Sequence, residues 1–163
     1  MDIDNFRKLY LAEFEELLSA EAQVAGTLRD LAARATTRPL ATAMDTHAGE
    51  TESHRARLEQ LFRAHDTGGE RHSDGSMRAI LDETRKWTGM VGRDGLGDAA
   101  LIASLQRIEH YEMAVLGTLA SWARRLGHEQ DASAFAEILE QHKAADARLS
   151  RLAEDVVNPQ AAA

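Results

Sequence analysis

The chain has 163 residues and a formal net charge of −8, from 19 Lys and Arg against 27 Asp and Glu, and its 44% hydrophobic content is enough for one domain spanning residues 1–163. The acidic balance argues against nucleic acid or an anionic membrane as a charge-bound partner, and the lack of cysteine excludes disulfides and thiolate-ligated metals. Because the sequence has neither a signal-peptide pattern nor an apolar run of about 18 residues, we expect a cytoplasmic protein without a membrane span.

The apolar spacing predicts four long helices and one short helix. The first, about 4–34 and capped by Asp4, carries an apolar stripe in which one place is taken by Glu21. The second, about 39–65, starts at Pro39 and has polar residues at the middle of its stripe. After a polar stretch, 66–75, a short amphipathic helix is expected at about 76–88. These assignments predict an all-α fold.

Two further long helices complete the prediction. One spans about 98–126, with Asp98 as its N-cap, and its apolar stripe is interrupted by Glu112. The other spans about 129–157, and the tail 158–163 is expected to fray. Every long helix therefore has an acidic or imidazole side chain near its middle.

The two halves of the sequence repeat. A shift of 91 positions places Glu21 on Glu112 and aligns Gly26-Thr27-Leu28 with Gly117-Thr118-Leu119. This repeat predicts two helical hairpins related by a pseudo-twofold axis, which is a four-helix bundle. The short helix lies in the connection between the hairpins.

The polar residues of the four stripes are expected to converge in one layer. Glu21 and His54 are 33 residues apart, as are Glu109 and His142, so each pair lies at one level of an antiparallel hairpin. The predicted metal ligands are Glu21, Glu50, His54, Glu109, Glu112, His142 and Asp146.

The charge of this layer points to bound cations. Burying one ionised carboxylate costs several kcal/mol, and a domain has only about 5–15 kcal/mol of net stability. No Lys or Arg lies on the predicted stripes between the five carboxylates. Two divalent ions would instead bring their charge close to neutrality. Carboxylates with imidazoles suit iron best, with manganese and zinc as alternatives.

The motifs resemble those of ferritin-like di-metal carboxylate proteins, and more narrowly the YciE/YciF-type bacterial stress proteins. The resemblance covers about 5–157, and Ile108-Glu109-His110-Tyr111-Glu112 is its most specific part. The other matching segments are Ser19-Ala20-Glu21, His47-x-x-Glu50-Thr51, Arg57-Leu58-Glu59 and Ala144-Ala145-Asp146-x-x-Leu149. The chain departs from the di-metal pattern because Glu50 is followed at the Glu-x-x-His spacing by Ser53.

The resemblance implies a ferritin-like bundle, a homodimer and a di-iron or similar centre. Such a centre, with open coordination positions, would admit dioxygen or peroxide and couple ferrous oxidation to peroxide reduction. No catalytic residue is assigned.

Two other functions fit the same sequence: a metal-free helical interaction module that keeps the polar layer, and an iron-storage subunit. Several residues also have structural interpretations. Glu109 can hold an imidazole instead of a metal, and His47 is interpreted as a core or supporting residue. His65 and His128, at helix ends, are given no function.

Overall fold

The computed structural model describes residues 3–65 and 72–163, and within these ranges the chain is helical, without strands. The helices are α1 (Phe6–Ala32), α2 (Arg38–Arg63), α3 (Gly75–Met90), α4 (Gly95–Leu126), α5 (Glu129–Leu152) and α6 (Asn158–Ala161), and a π-helical turn (Ala153–Val157) joins α5 to α6. The all-α prediction is confirmed. Of the helices described, none combines the length and apolar character that crossing a membrane would need.

Helices α1, α2, α4 and α5 form the four-helix bundle. The Tyr10 hydroxyl near the start of α1 and the His65 ring just after α2 both meet Asp131 at the start of α5. Helices α2 and α4 therefore end at the same end of the bundle and run parallel. The connection between them, which contains α3, returns the chain to the opposite end, as in ferritin-like bundles.

The helix caps differ by a few residues from the predicted ones. Asn5, not Asp4, caps α1 by accepting from the Lys8 amide, and Asp94, not Asp98, caps α4 by accepting from the amides of Leu96 and Gly97. Asp98 is fully buried inside the first turn of α4 and instead accepts hydrogen bonds from the backbone of the α1–α2 loop. Of the predicted polar stretch 66–75, residues 66–71 lie outside the described part.

The end of the chain is more ordered than predicted. The predicted single helix to residue 157 ends at Leu152 and continues as the π-helical turn, and 158–161 form α6 where a frayed tail was expected. Helix α6 packs against the start of α4 at Gly95, where an added Cβ would lie 3.1 Å from the Ala161 backbone nitrogen. This close backbone approach holds the tail in place.

Two apolar cores lie one above the other in the bundle. One contains Phe14, Leu17 and Phe135, and the other contains Val24, Leu28 and Leu105. Glu21 falls between Leu17 and Val24 on α1, and the polar residues of α2, α4 and α5 fall at the same level. The polar layer is thus enclosed by apolar side chains above and below.

The buried Asp98 carboxylate is predicted to hold the hairpins together. Its two oxygens accept from the Thr36 and Thr37 amides, each at 2.8 Å. Replacing it in Asp98→Ala leaves these donors unpaired, which we expect to lower the free energy of unfolding by about 1–3 kcal/mol. Urea denaturation measures this change.

The control is Asp82→Asn, which removes an exposed carboxylate paired with Arg85. This variant should stay within about 0.5 kcal/mol of the parent. Equal free energies of unfolding for Asp98→Ala and Asp82→Asn would show that the Asp98 carboxylate does not stabilise the contact between α4 and the α1–α2 loop.

Candidate metal centre

The centre lies at mid-bundle and is formed by side chains from all four long helices. Six of them are buried and have titratable groups: Glu21, His47, His54, Glu109, Glu112 and His142. Their donor atoms form two groups, each within 4.8 Å: Glu21, His54 and His142; and His47, Glu109, Glu112 and His142. His142 belongs to both groups because its two ring nitrogens face opposite sides of the layer.

In the first group, two imidazoles are oriented toward Glu21. His54 Nε2 donates to the Gln141 amide oxygen at 2.6 Å, which leaves Nδ1 facing Glu21 Oε1 at 3.9 Å. His142 Nδ1 donates to Glu109 Oε2 at 2.8 Å, which leaves Nε2 at 3.9 Å from the same Glu21 oxygen. A histidine that ligates a metal characteristically donates its other ring N–H to an oxygen in this way.

In the second group, His47 faces the two glutamates of α4. His47 Nε2 lies 2.9 Å from Glu109 Oε1, and His142 Nδ1 lies 3.6 Å from Glu112 Oε2. The sequence interpretation gave His47 a core or supporting role; the structure places it in the layer, against Glu109. The spacing His47-x-x-x-Thr51-x-x-His54 places both histidines on the buried face of α2, and that was the available signal.

The layer contains an unusual number of buried polar atoms without hydrogen-bond partners. They include both carboxylate oxygens of Glu21 and of Glu112, Nδ1 of His54 and Nε2 of His142. Buried polar groups in folded proteins are nearly always paired, since an unpaired one costs about 1–3 kcal/mol. Because these atoms are all metal-ligand types, the donor set fits one or two cations.

Burial and mutual charge shift the pKa values of these groups. Burial raises the pKa of the Glu112 carboxyl, and nearby Glu21 and Glu109 raise it further. Burial opposes the charge of Glu109, but its interactions with His142 and His47 outweigh burial and lower its pKa to about 2. Burial likewise opposes the charge of His47, but Glu109 and Glu50 outweigh it and raise its pKa to about 9. Burial lowers the pKa of His54, which favours the neutral imidazole that binds metals.

The structure does not bring the other two predicted ligands, Glu50 and Asp146, into either group. The buried stripe of α2 passes through Thr51, so Glu50 lies at its flank, 30% exposed, and accepts from Arg148 at 3.1 Å. The sequence has no Lys or Arg on the stripes between the polar positions, but Arg148, beside the stripe of α5, reaches Glu50 from the flank.

Asp146 also lies at a flank. The buried stripe of α5 continues from His142 through Ala145 to Leu149, so the Asp146 carboxylate turns to the side. There it accepts from Gln106 Nε2 at 3.0 Å and lies 3.3 Å from His110 Nε2.

Comparison with known proteins places this bundle in a family. The family described as "Domain of unknown function (DUF892)" matches residues 5–162. The chain is 31% identical over 162 residues to Protein YciF of Escherichia coli K12, covering 99% of this chain and 98% of YciF. The chain belongs to the DUF892 family.

Solved structures agree with this assignment. The crystal structure of the E. coli stress protein YciF matches with a TM-score of 0.90 and 30% identity, covering 96% of this chain and 99% of that one. YcfI from Rhodopseudomonas palustris matches with a TM-score of 0.86 and 29% identity, covering 91% of this chain and 95% of that one. The YciF-type resemblance and the helical-bundle prediction are therefore confirmed.

The pKa shifts predict that the metal-free DUF892 bundle loses stability as the pH rises. The folded His47 pKa of about 9 exceeds the ordinary histidine pKa of 6.5, so between these values the folded protein holds a proton that the unfolded chain has released. Stability then falls with increasing pH in this window. The raised pKa of Glu112 acts in the same direction.

Urea unfolding midpoints measured in EDTA from pH 6.5 to 9 test this prediction. The midpoint should fall across the window and fall less steeply in His47→Gln. A midpoint that rises with pH, or a His47→Gln curve parallel to the parent, would contradict it.

Proposed function

We propose that the polar layer is a di-metal centre, with iron as the preferred metal. Glu21, His54 and His142 would hold one ion, and His47, Glu109 and Glu112 would hold the other. Glu112 and Glu21 each have two unpartnered oxygens that a cation would satisfy. Glu50 and Asp146 stay at the edge of this centre.

The observation that carries the proposal is the convergence of unpaired buried atoms with pre-oriented imidazoles. Both imidazoles facing Glu21 use their other ring nitrogen in a hydrogen bond, to Gln141 or to Glu109. Such bonds fix the tautomer that presents a lone pair to the centre. A purely structural layer would gain nothing from leaving these lone pairs unused.

The buried charge gives independent support. The layer holds three buried carboxylates, Glu21, Glu109 and Glu112, whereas the Glu50 charge is countered by Arg148. Two divalent ions against these three charges leave a residual charge of about +1, far less costly to bury than three uncompensated carboxylates. Mixed oxygen and nitrogen ligands suit iron or manganese, and zinc is the alternative.

The chemistry that such a centre supplies when loaded is oxidation of ferrous ions by dioxygen or peroxide. The chain's own residues provide its setting. The two apolar cores exclude water from above and below, and a cleft lined by Met44, Arg148 and Leu149 reaches His47 and Glu109. Arg148, which pairs with Glu50, lines this cleft. By analogy with YciF, we place this activity in a stress response.

A metal-free structural module is the second candidate, since protons can replace metal ions in the layer. The pKa of both His47 and His142 is raised by neighbouring carboxylates, although burial opposes it. Their imidazolium forms would offset two of the three carboxylates. This bundle would have the same fold without redox activity.

Metal content separates the two candidates. We expect the untagged protein, reconstituted anaerobically with ferrous iron and desalted, to retain about two ions per chain by elemental analysis. Glu21→Gln and Glu112→Gln should each lose most of this metal, because each removes a charge and a ligand oxygen from the centre. Glu50→Gln should lose less, since Glu50 is engaged by Arg148.

The matched control is Glu52→Gln, on the exposed side of α2 next to Arg29 and Arg55. It should bind metal as the parent does. If the parent protein retains less than about a tenth of a metal ion per chain, and chelation leaves its melting temperature unchanged, the metal-free module is favoured.

Peroxide tests the redox half of the proposal. Adding hydrogen peroxide to the ferrous protein under anaerobic conditions should produce a near-ultraviolet absorption increase within seconds, faster than for free ferrous iron in the same buffer. Glu112→Gln should lower that rate by at least tenfold. If the absorption of the parent protein rises no faster than that of free ferrous iron, the centre binds metal but does not promote its oxidation.

A further inference from the structure

A second cluster of metal-ligand side chains lies at the end of the bundle, away from the central layer. It consists of His65 after α2, His128 before α5 and Asp131 in the first turn of α5, whose donor atoms lie within 4.8 Å of one another. Tyr10, which contacts it, precedes Glu21 by 11 residues on α1, which corresponds to about 16 Å along the helix. The two clusters are therefore separate.

Side-chain contacts already orient the donors of this cluster. His65 Nε2 lies 2.7 Å from Asp131 Oδ2, and the Tyr10 hydroxyl donates to the same oxygen at 2.7 Å. The two imidazole rings meet edge to face, with centroids 4.8 Å apart. The His65 and Asp131 side chains are each only 8% exposed, so the cluster is largely shielded from water.

One ring nitrogen of His128 has no polar partner in this arrangement. Its Nε2 is buried and has no hydrogen-bond partner. Although His128 occupies the N-cap position of α5, its side chain makes no capping hydrogen bond. An apolar ring would stack equally well on Tyr10, whose ring centroid lies 5.6 Å away.

We propose that His65, His128 and Asp131 bind one divalent cation of the zinc type. Two imidazoles and one carboxylate are a common protein ligand set for zinc, with water completing the coordination. The hydrogen bond from Tyr10 holds Asp131 in place, as groups surrounding a metal site commonly do. The bound ion would join the ends of α2 and α5 next to the start of α1.

The competing explanation is a structural ion pair. In that case His65 and Asp131 simply link two helix ends, with Tyr10 as a third partner. This explanation accounts for the His65–Asp131 contact but not for the buried, unpaired nitrogen of His128. His128 is therefore the residue that separates the two explanations.

The test uses zinc alone as the probe. In the Glu21→Gln/Glu112→Gln double variant, which disables the central layer, equilibrium dialysis and calorimetry should detect about one zinc ion per chain. Adding His128→Phe, which keeps the ring and removes both nitrogens, should weaken this binding at least tenfold. Zinc should also raise the melting temperature of the double variant. This rise should be lost when His128→Phe is added.

A second comparison does not depend on how well the double variant folds. The full-length parent should bind one more zinc ion per chain than His128→Phe alone. If both proteins bind the same number with the same affinity, or if the difference appears only at millimolar zinc, the ion-pair explanation holds and the proposal is wrong. The result is independent of the central centre, which Glu21→Gln tests separately.

Discussion

The structure depends on how the charge of a buried layer is neutralised. Glu21, Glu109 and Glu112 lie between two apolar cores, where an ionised carboxylate without a partner costs several kcal/mol. Three imidazoles, His47, His54 and His142, share the layer with them. The bundle can fold only if protons or cations compensate these carboxylates.

The family comparison and the side-chain geometry answer different questions. Membership in DUF892 and the close match to YciF establish the architecture. They do not identify a reaction. The orientation of His54 by Gln141 and of His142 by Glu109 is the feature on which the metal-centre proposal rests.

Much of this arrangement follows from the sequence. Helical periodicity and the internal repeat predicted the bundle, and the equal 33-residue spacings predicted that Glu21 meets His54 and that Glu109 meets His142. It was harder to predict which residues of α2 and α5 lie on the buried face of each helix. A stripe can advance by three or four residues, and at Thr51 and Ala145 the structure takes the step that moves Glu50 and Asp146 to the flanks. His65, His128 and Asp131 could not be predicted together, because their contact depends on how separate helix ends meet.

The most direct measurement of the central claim is anomalous X-ray diffraction at the iron edge from crystals grown with ferrous iron under anaerobic conditions. If cations neutralise the layer, one anomalous peak will lie among Glu21, His54 and His142, and a second will lie among His47, Glu109 and Glu112. If the layer carries no anomalous signal while iron is bound elsewhere on the protein, protons neutralise these carboxylates and the di-metal account is wrong.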